Sequence, residues 1–212
     1  MVSADLCHRC LVIDNGPFPV GRVAAVGDEL FADERLYDYL LAIDRELAEQ
    51  ARGAGCPRCE GRLHGASYPR KPRGGPRRLR EGEHARRLSL CCACCRKRVT
   101  PASVRFLGRR VYYGVVVVLA CARALSASRL DELQALLGVD RRTLRRWRRW
   151  WRESLVRSPW WHVARARFIP PLEERQLPNA LLERFEAGEP LRRMLGVLAF
   201  LAPLSVGAEH VR

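Results

Sequence analysis

The stretch Asp131–Trp151, DELQALLGVDRRTLRRWRRWW, decides how the chain is read. It divides into two helices at Leu137–Gly138–Val139. Gly138 suits the left-handed backbone that closes a helix. Asp140 can cap the next helix, its charge matching the positive end of that helix's dipole. On the second helix Leu144, Trp147 and Trp151 recur at i, i+3 and i+7, which predicts one apolar stripe. The other faces carry Arg141, Arg142, Arg145, Arg146, Arg148, Arg149 and Arg152, with no acid before Glu153. Like charges at helical spacing repel by roughly a few tenths of a kcal/mol per pair, so a solvated helix interleaves its signs. This one does not, and the pattern fits a helix that a polyanion neutralises. The reading is a helix-turn-helix whose second helix enters DNA.

The whole-chain charge points the same way. Net charge is +15 over 212 residues, a footprint of nucleic acid or another anionic surface. It is unevenly placed: residues 1–55 hold 10 acids against 5 bases, whereas 62–110 hold 15 bases against 2 acids. Hydrophobic residues make up 48% of the chain, which argues against wholesale disorder. The longest uncharged stretches, Val111–Ala122 and Met194–Ala208, fall short of the roughly 20 residues that span a bilayer, so no membrane partner is expected. Asp5 and Cys7–His8–Arg9 stand where a signal peptide needs an apolar run. The expected location is the cytoplasm, with the nucleoid. In that reducing compartment nine cysteines read as metal ligands or free thiols before disulfides.

Cys56-Pro57-Arg58-Cys59 is answered by Cys91-Cys92-Ala93-Cys94-Cys95. Two Cys-x-x-Cys turns about thirty residues apart supply what a four-thiolate zinc ribbon requires, a closed structural site with no open position for chemistry. The second turn can be Cys91/Cys94 or Cys92/Cys95. The latter is preferred, because Arg96-Lys97-Arg98 then leaves it as an outgoing strand. The predicted Zn2+ ligands are Cys56, Cys59, Cys92 and Cys95. Cys7 and Cys10 are left over, and a second zinc involving them stays open. Between the knuckles, Tyr68–Arg78 is a Pro/Gly/Arg loop that should form neither helix nor central strand. It reads either as a phosphate-contacting arm or as a mobile insertion.

Elsewhere, Asp33–Gln50 reads as a helix with Leu36, Tyr39/Leu40, Ile43 and Leu47 on one face. Val111–Ala124 has the valines of a strand and the length of a helix, and is taken as the first helix of a three-helix unit. Trp160 and Trp161 read as core caps before base-stacking groups. Ala180–Glu186 and Leu191–Leu201 look like two short helices, and the five histidines are scattered without ligand partners. The expected fold is mainly α, with a small β zinc ribbon, a three-helix helix-turn-helix unit and a helical C-terminal tail. Four segments follow: an acidic one with one helix at 1–53, the ribbon at 54–108, the helix-turn-helix at 109–156 and the tail at 157–212.

The order zinc ribbon, basic strand, helix-turn-helix resembles the N-terminal DNA-binding region of insertion-sequence transposases. Cys-Pro-x-Cys-x-Gly-x-Leu-His at 56–64, Tyr-Pro-Arg-Lys-Pro-Arg at 68–73, and the string from Cys92 through Thr100-Pro101 and Ser103-Val104-Arg105-Phe106 to Tyr112 look like a group of transposase-like bacterial proteins found near mobile elements. The likeness runs from about residue 26 to the end. It implies that the four cysteines bind zinc and that residues 128–152 contact DNA. Transposases of this architecture continue into a domain whose carboxylates hold two metal ions for strand cleavage. This chain has no Asp after Asp140, so self-contained cleavage is not expected and the chain is read as a non-enzyme.

The functional expectation is therefore a sequence-specific binder of double-stranded DNA, an accessory or regulatory factor of a mobile element. Two alternatives are a transposase component made catalytic by a partner subunit, and an RNA- or ribosome-binding protein. Arg141, Arg142, Arg145, Arg146 and Arg149 would probe the groove, and Arg70, Lys71, Arg73, Arg96, Lys97 and Arg98 would hold phosphates. A homodimer would match two half-sites.

Overall fold

Asp33 opens the first helix, α1 (Glu34–Ala54), by accepting from the Arg35 amide at 3.0 Å. The Arg35 guanidinium bonded to the same carboxylate holds it below the usual range. This computed structural model describes residues 33–107, 112–122, 138–185 and 190–206. Gly55, at φ +75°, ends the helix four residues later than the sequence pattern suggests. Its buried face is Leu36, Tyr37, Leu40, Leu41, Asp44 and Ala48, turned by about a residue from the predicted stripe. Tyr37 accounts for the turn: its ring meets Tyr113 edge-on at 4.9 Å, which leaves Tyr39 and Ile43 at the margin of the core.

Five short strands follow: β1 (Leu63–Gly65), β2 (Tyr68–Pro69), β3 (Arg86–Arg87), β4 (Leu90–Cys92) and β5 (Arg98–Val99). They form one antiparallel sheet in the order β1-β4-β5 and a separate β2-β3 pair. The registers Leu63↔Cys92 and Leu90↔Val99 put apolar side chains on one face. With Cys56 they make a small second core. The Pro/Gly/Arg loop is packed in place and is not a mobile insertion. Its Tyr68–Pro69 end pairs with Arg86–Arg87, Pro72 and Gly74 are buried, and Arg73 bridges to Tyr112. Gly74 sits at φ +82°, where a Cβ would come 3.0 Å from Val116 Cγ1, so the loop approaches the next helix as only glycine permits.

That helix is α2 (Gly114–Ala122), the valine run. β-Branched residues resist helix intrinsically. Here Gly114–Ala120 are all buried, and burial on every side overrides that preference. α2 packs on α3 (Arg141–Arg149), which continues as a wider π-helical turn over Trp150–Leu155. The C-terminal part supplies α4 (Pro159–Ala164), α5 (Asn179–Arg184) and α6 (Pro190–Leu201). Trp161 is buried, and Trp160 packs on Phe200 at 5.0 Å, so the tryptophan pair serves the core. The large core draws on residues from α1 through α6. The architecture is mainly helical with a small antiparallel sheet. No described helix is long and apolar enough to cross a membrane.

A polar knot, not foreseen from the sequence, ties these parts together. Asp44 and Arg105 are both fully buried, and Arg105 Nε donates to Asp44 Oδ2 at 2.7 Å. Ser103 Oγ and the Val104 amide donate to the same carboxylate at 2.6 and 2.8 Å. The rest of the guanidinium donates to the carbonyls of His84 at 3.2 Å and Arg86 at 2.9 Å. Buried Arg87 donates to the Pro101 carbonyl and to Ser205 Oγ, and Ser205 accepts from the Ser103 amide. The charged pair thus joins α1, the 83–87 segment and the 101–106 segment, and Arg87 with Ser103 extends the network to Ser205 beyond α6.

Candidate metal centre and nucleic-acid interface

Two turns of the same design bring the four sulfurs together. The Cys56 amide donates to the Gly61 carbonyl at 3.0 Å, and the Cys92 amide donates to the Lys97 carbonyl at 3.0 Å. The residue after the second cysteine is left-handed in both, Glu60 at φ +57° and Arg96 at φ +58°. This repetition selects Cys92/Cys95 over Cys91/Cys94. Cys91 Sγ turns instead toward the Arg96 carbonyl at 3.6 Å, and Cys94 is exposed. Positive φ at Arg96 also corrects the expected strand: only Arg98 of the Arg96-Lys97-Arg98 run enters β5, because the turn consumes the first two.

Cys56, Cys59, Cys92 and Cys95 lie with all sulfurs within 4.8 Å of one another, a cluster that can hold a metal ion. Cys56 Sγ is 3.6 Å from Cys95 Sγ, and Cys59 Sγ is 3.5 Å from Cys92 Sγ. A tetrahedral ion bonded to thiolates at about 2.3 Å separates its sulfurs by about 3.8 Å. The cage fits. Its floor is Gly61, where a Cβ would stand 3.0 Å from Cys92 Sγ and 2.8 Å from Cys94 Sγ. Backbone N–H groups aimed at the sulfurs favour the charged form. The Arg58 amide heads the causes that lower the Cys56 thiol, and the Cys95 amide heads those that bring Cys92 down to about 6. Cys59 is pushed up to about 12: the Gly61 amide pulls it down, but crowding by Cys92, Cys95 and Cys56 together with burial outweighs that pull. A dication held by the four sulfurs would offset the repulsion among their thiolates. Cys7 and Cys10 lie outside the described residues.

The second candidate is the arginine helix. Gly138 has φ +61°, the left-handed backbone expected of it, and Asp140 caps the helix by accepting from the Thr143 amide at 2.6 Å. The first of the two predicted helices, 131–137, lies outside the described residues. Leu144, Trp147 and Trp151 are buried at 2%, 1% and 0% exposure, and Leu155 extends the stripe. Tyr112 meets the Trp147 ring edge-on at 4.8 Å. Arg141, Arg142, Arg145, Arg146, Arg149 and Arg152 are exposed, and Arg148 is half-buried. Arg146 donates to Thr143 Oγ1 at 3.3 Å, and Arg149 approaches Glu153 at 3.9 Å, too loose to neutralise it.

The expected phosphate-holding residues are less uniform. Lys71, Arg73, Arg96 and Lys97 are exposed, and Arg70 is half-buried. Arg98 is exposed as well, but its guanidinium is partly engaged: Nη1 donates to the Ala66 carbonyl at 2.6 Å and to Ser89 Oγ at 3.0 Å, and the group stands 5.4 Å from the Tyr68 ring centre. Two further arginines of the basic 62–110 region, Arg87 and Arg105, are buried and contribute to folding, not to a surface. The signal for Arg105 was Asp44 itself, a charge four residues after Leu40 on an apolar face. Compared with family models, with curated proteins and with solved structures, the chain has no match in any of the three.

Proposed function

We propose that this chain is a zinc-dependent, sequence-specific binder of double-stranded DNA, a zinc ribbon joined to a helix-turn-helix, serving a mobile element as a transposase-like accessory or regulatory protein. The observation that carries the reading is the arginine helix: an acid-free cationic face from Arg141 to Arg152, anchored from behind by Leu144, Trp147 and Trp151. A rigid cationic helix of that kind is what base readout in a groove needs. Zinc suits four thiolates closed into a tetrahedron, and its part is to hold the two turns, with Lys71, Arg73, Arg96 and Lys97 nearby in sequence for phosphates. Each described aspartate has a structural partner: Asp33 and Asp140 cap helices, Asp38 pairs with His84, and Asp44 is locked to Arg105. A second copy of the chain, or a separate catalytic subunit, would be its protein partner.

The test is selection of bound duplexes from a random library, with zinc-loaded protein at fixed physiological salt, since a protein this basic holds any DNA when salt is low. One motif should emerge, Arg145→Ala should erase it, and Lys71→Ala should weaken all sequences alike. No enrichment would sink sequence readout. Metal analysis should find one zinc per chain, lost in Cys92→Ser and kept in Cys91→Ser.

A further inference from the structure

Resting on the DNA-binding reading, we infer that the sequence read by α3 is a guanine-bearing step of about three base pairs. At about 100° per residue, Arg142, Arg145 and Arg149 fall within about 60° of one another, on the side opposite the buried Leu144, Trp147 and Trp151. They form the outermost row of the helix, and all three are exposed. Arg142 and Arg145 have no side-chain hydrogen bond or ion pair among the described residues, and Arg149 has only the 3.9 Å approach to Glu153. From Arg142 to Arg149 the helix rises about 10 Å, close to three base-pair steps at about 3.4 Å each. A spacing of three and four residues is also how a groove-inserted helix reaches successive bases.

What the row lacks matters as much. Adenine is read in pairs of bonds by Asn or Gln, and cytosine by Asp or Glu. Thr143 is buried, Asp140 is bonded to the Thr143 amide, and the remaining exposed side chains from 141 to 149 are arginines. A guanidinium has donors only, and its two-bond partner on a base edge is guanine O6 and N7. A face that offers only guanidinium therefore discriminates guanine on one strand or the other at each step. Arg141, Arg148 and Arg152 flank the row on one side, where on this reading they would meet phosphates.

The test uses full-length zinc-loaded protein and short duplexes at one salt concentration. Three probes are compared: the selected duplex, the same duplex with 7-deazaguanine at the three core positions, and an A·T-only duplex of equal length. Replacing N7 leaves base pairing and charge unchanged while removing one acceptor of each pair. The expected weakening is about 5- to 150-fold per guanine read. Arg145→Gln should lose the guanine discrimination at one position and lower the salt slope by no more than about one phosphate's worth, because an amide pairs with adenine N6 and N7 instead. Equal affinity for all three duplexes overturns the guanine assignment and leaves DNA binding standing. Binding to an A-form RNA duplex as tight as to any DNA overturns the DNA reading and the inference with it, since that groove does not admit side chains to the bases.

Discussion

Replacing Arg105 by methionine tests whether the polar knot holds the molecule together. Both Arg105 and Asp44 are at 0% exposure, so the substitution leaves a carboxylate in the interior without its cation. Asp44 keeps two donors, Ser103 Oγ at 2.6 Å and the Val104 amide at 2.8 Å, which hold the cost below that of a bare charge. Against this, the carbonyls of His84 and Arg86 lose their donor. Breaking a buried pair from one side costs about 3–5 kcal/mol, and an orphaned buried acceptor about 1–3 kcal/mol. We expect about 4 kcal/mol in total, a large part of a typical stability of about 5–15 kcal/mol. Urea unfolding followed by tryptophan fluorescence, at saturating zinc, would read this as a midpoint lower by about 2 M if the slope is about 2 kcal/mol/M. The double variant Asp44→Leu/Arg105→Met should be clearly more stable than the sum of the two single losses, because it removes the unpaired charge. A midpoint shift below about 0.5 M at unchanged slope, or strict additivity, would refute the reasoning.

Trp151→Ala, at a side chain with 0% exposure, should cost about 3–5 kcal/mol in the same assay. Gly74→Ala should cost more than Gly82→Ala, since both sit at positive φ but only Gly74 also faces a side-chain atom, 3.0 Å away; equal losses would show that the loop does not pack on Val116. Glu174 is held below the usual carboxylate range, first by the Trp161 Nε1 donor at 2.7 Å and then by Arg165. Its stabilisation is therefore present at neutral pH and lost as pH falls from the ordinary glutamate value of about 4.3 through the lower folded value. The Tm gap between wild type and Glu174→Gln should narrow across that window; a gap constant from pH 7 to pH 3 would contradict the assignment. Chelation of the metal should reduce the salt slope of DNA binding while the preferred sequence persists, measured by titrating labelled duplexes at several salt concentrations.

The arginine helix was legible in the sequence because its signals are local. A Gly–Val–Asp turn, a cap three residues from its amide and a 3.6-residue apolar period all act within one or two turns. The second cysteine knuckle was legible in type, but its register became secure only with the left-handed Glu60 and Arg96, which sequence spacing does not reveal. The valine run shows why propensity alone leaves a choice: β-branching argues for strand, and only burial against α3 and α6 decides for helix. Least legible was Asp44 with Arg105. They stand 61 residues apart, and their pairing depends on where α1 docks. The Ser-Val-Arg-Phe within the most distinctive sequence string turns out to build this knot. Part of that string therefore reports interior packing, while its cysteine and basic residues report the proposed site.

On the proposed reading, the two cores should let metal and base readout separate. The small core holds Cys56, Leu63, Leu90 and Cys92, and two of these four belong to the metal-holding cluster. Without an ion, four crowded thiols are the weakest filling such a core can have, so the turns bearing Arg96 and Lys97 loosen first. The large core shares none of these residues, and Trp147 and Trp151 keep the arginine row fixed from behind. Two links join the cores: α1, whose Ala51 packs on the small core and whose Leu36, Tyr37 and Leu40 lie in the large one, and Arg86–Arg87, which the buried arginine network holds to the 101–106 segment independently of the sulfurs. Loosening should therefore stop near β3, with the 68–78 loop still seated on Val116. Each phosphate that the protein no longer neutralises lowers the salt slope by about 0.9, so release of Arg96 and Lys97 together lowers it by about 2. On the proposed reading base readout from α3 should persist, and the metal would set how tightly the protein holds DNA more than which sequence it chooses.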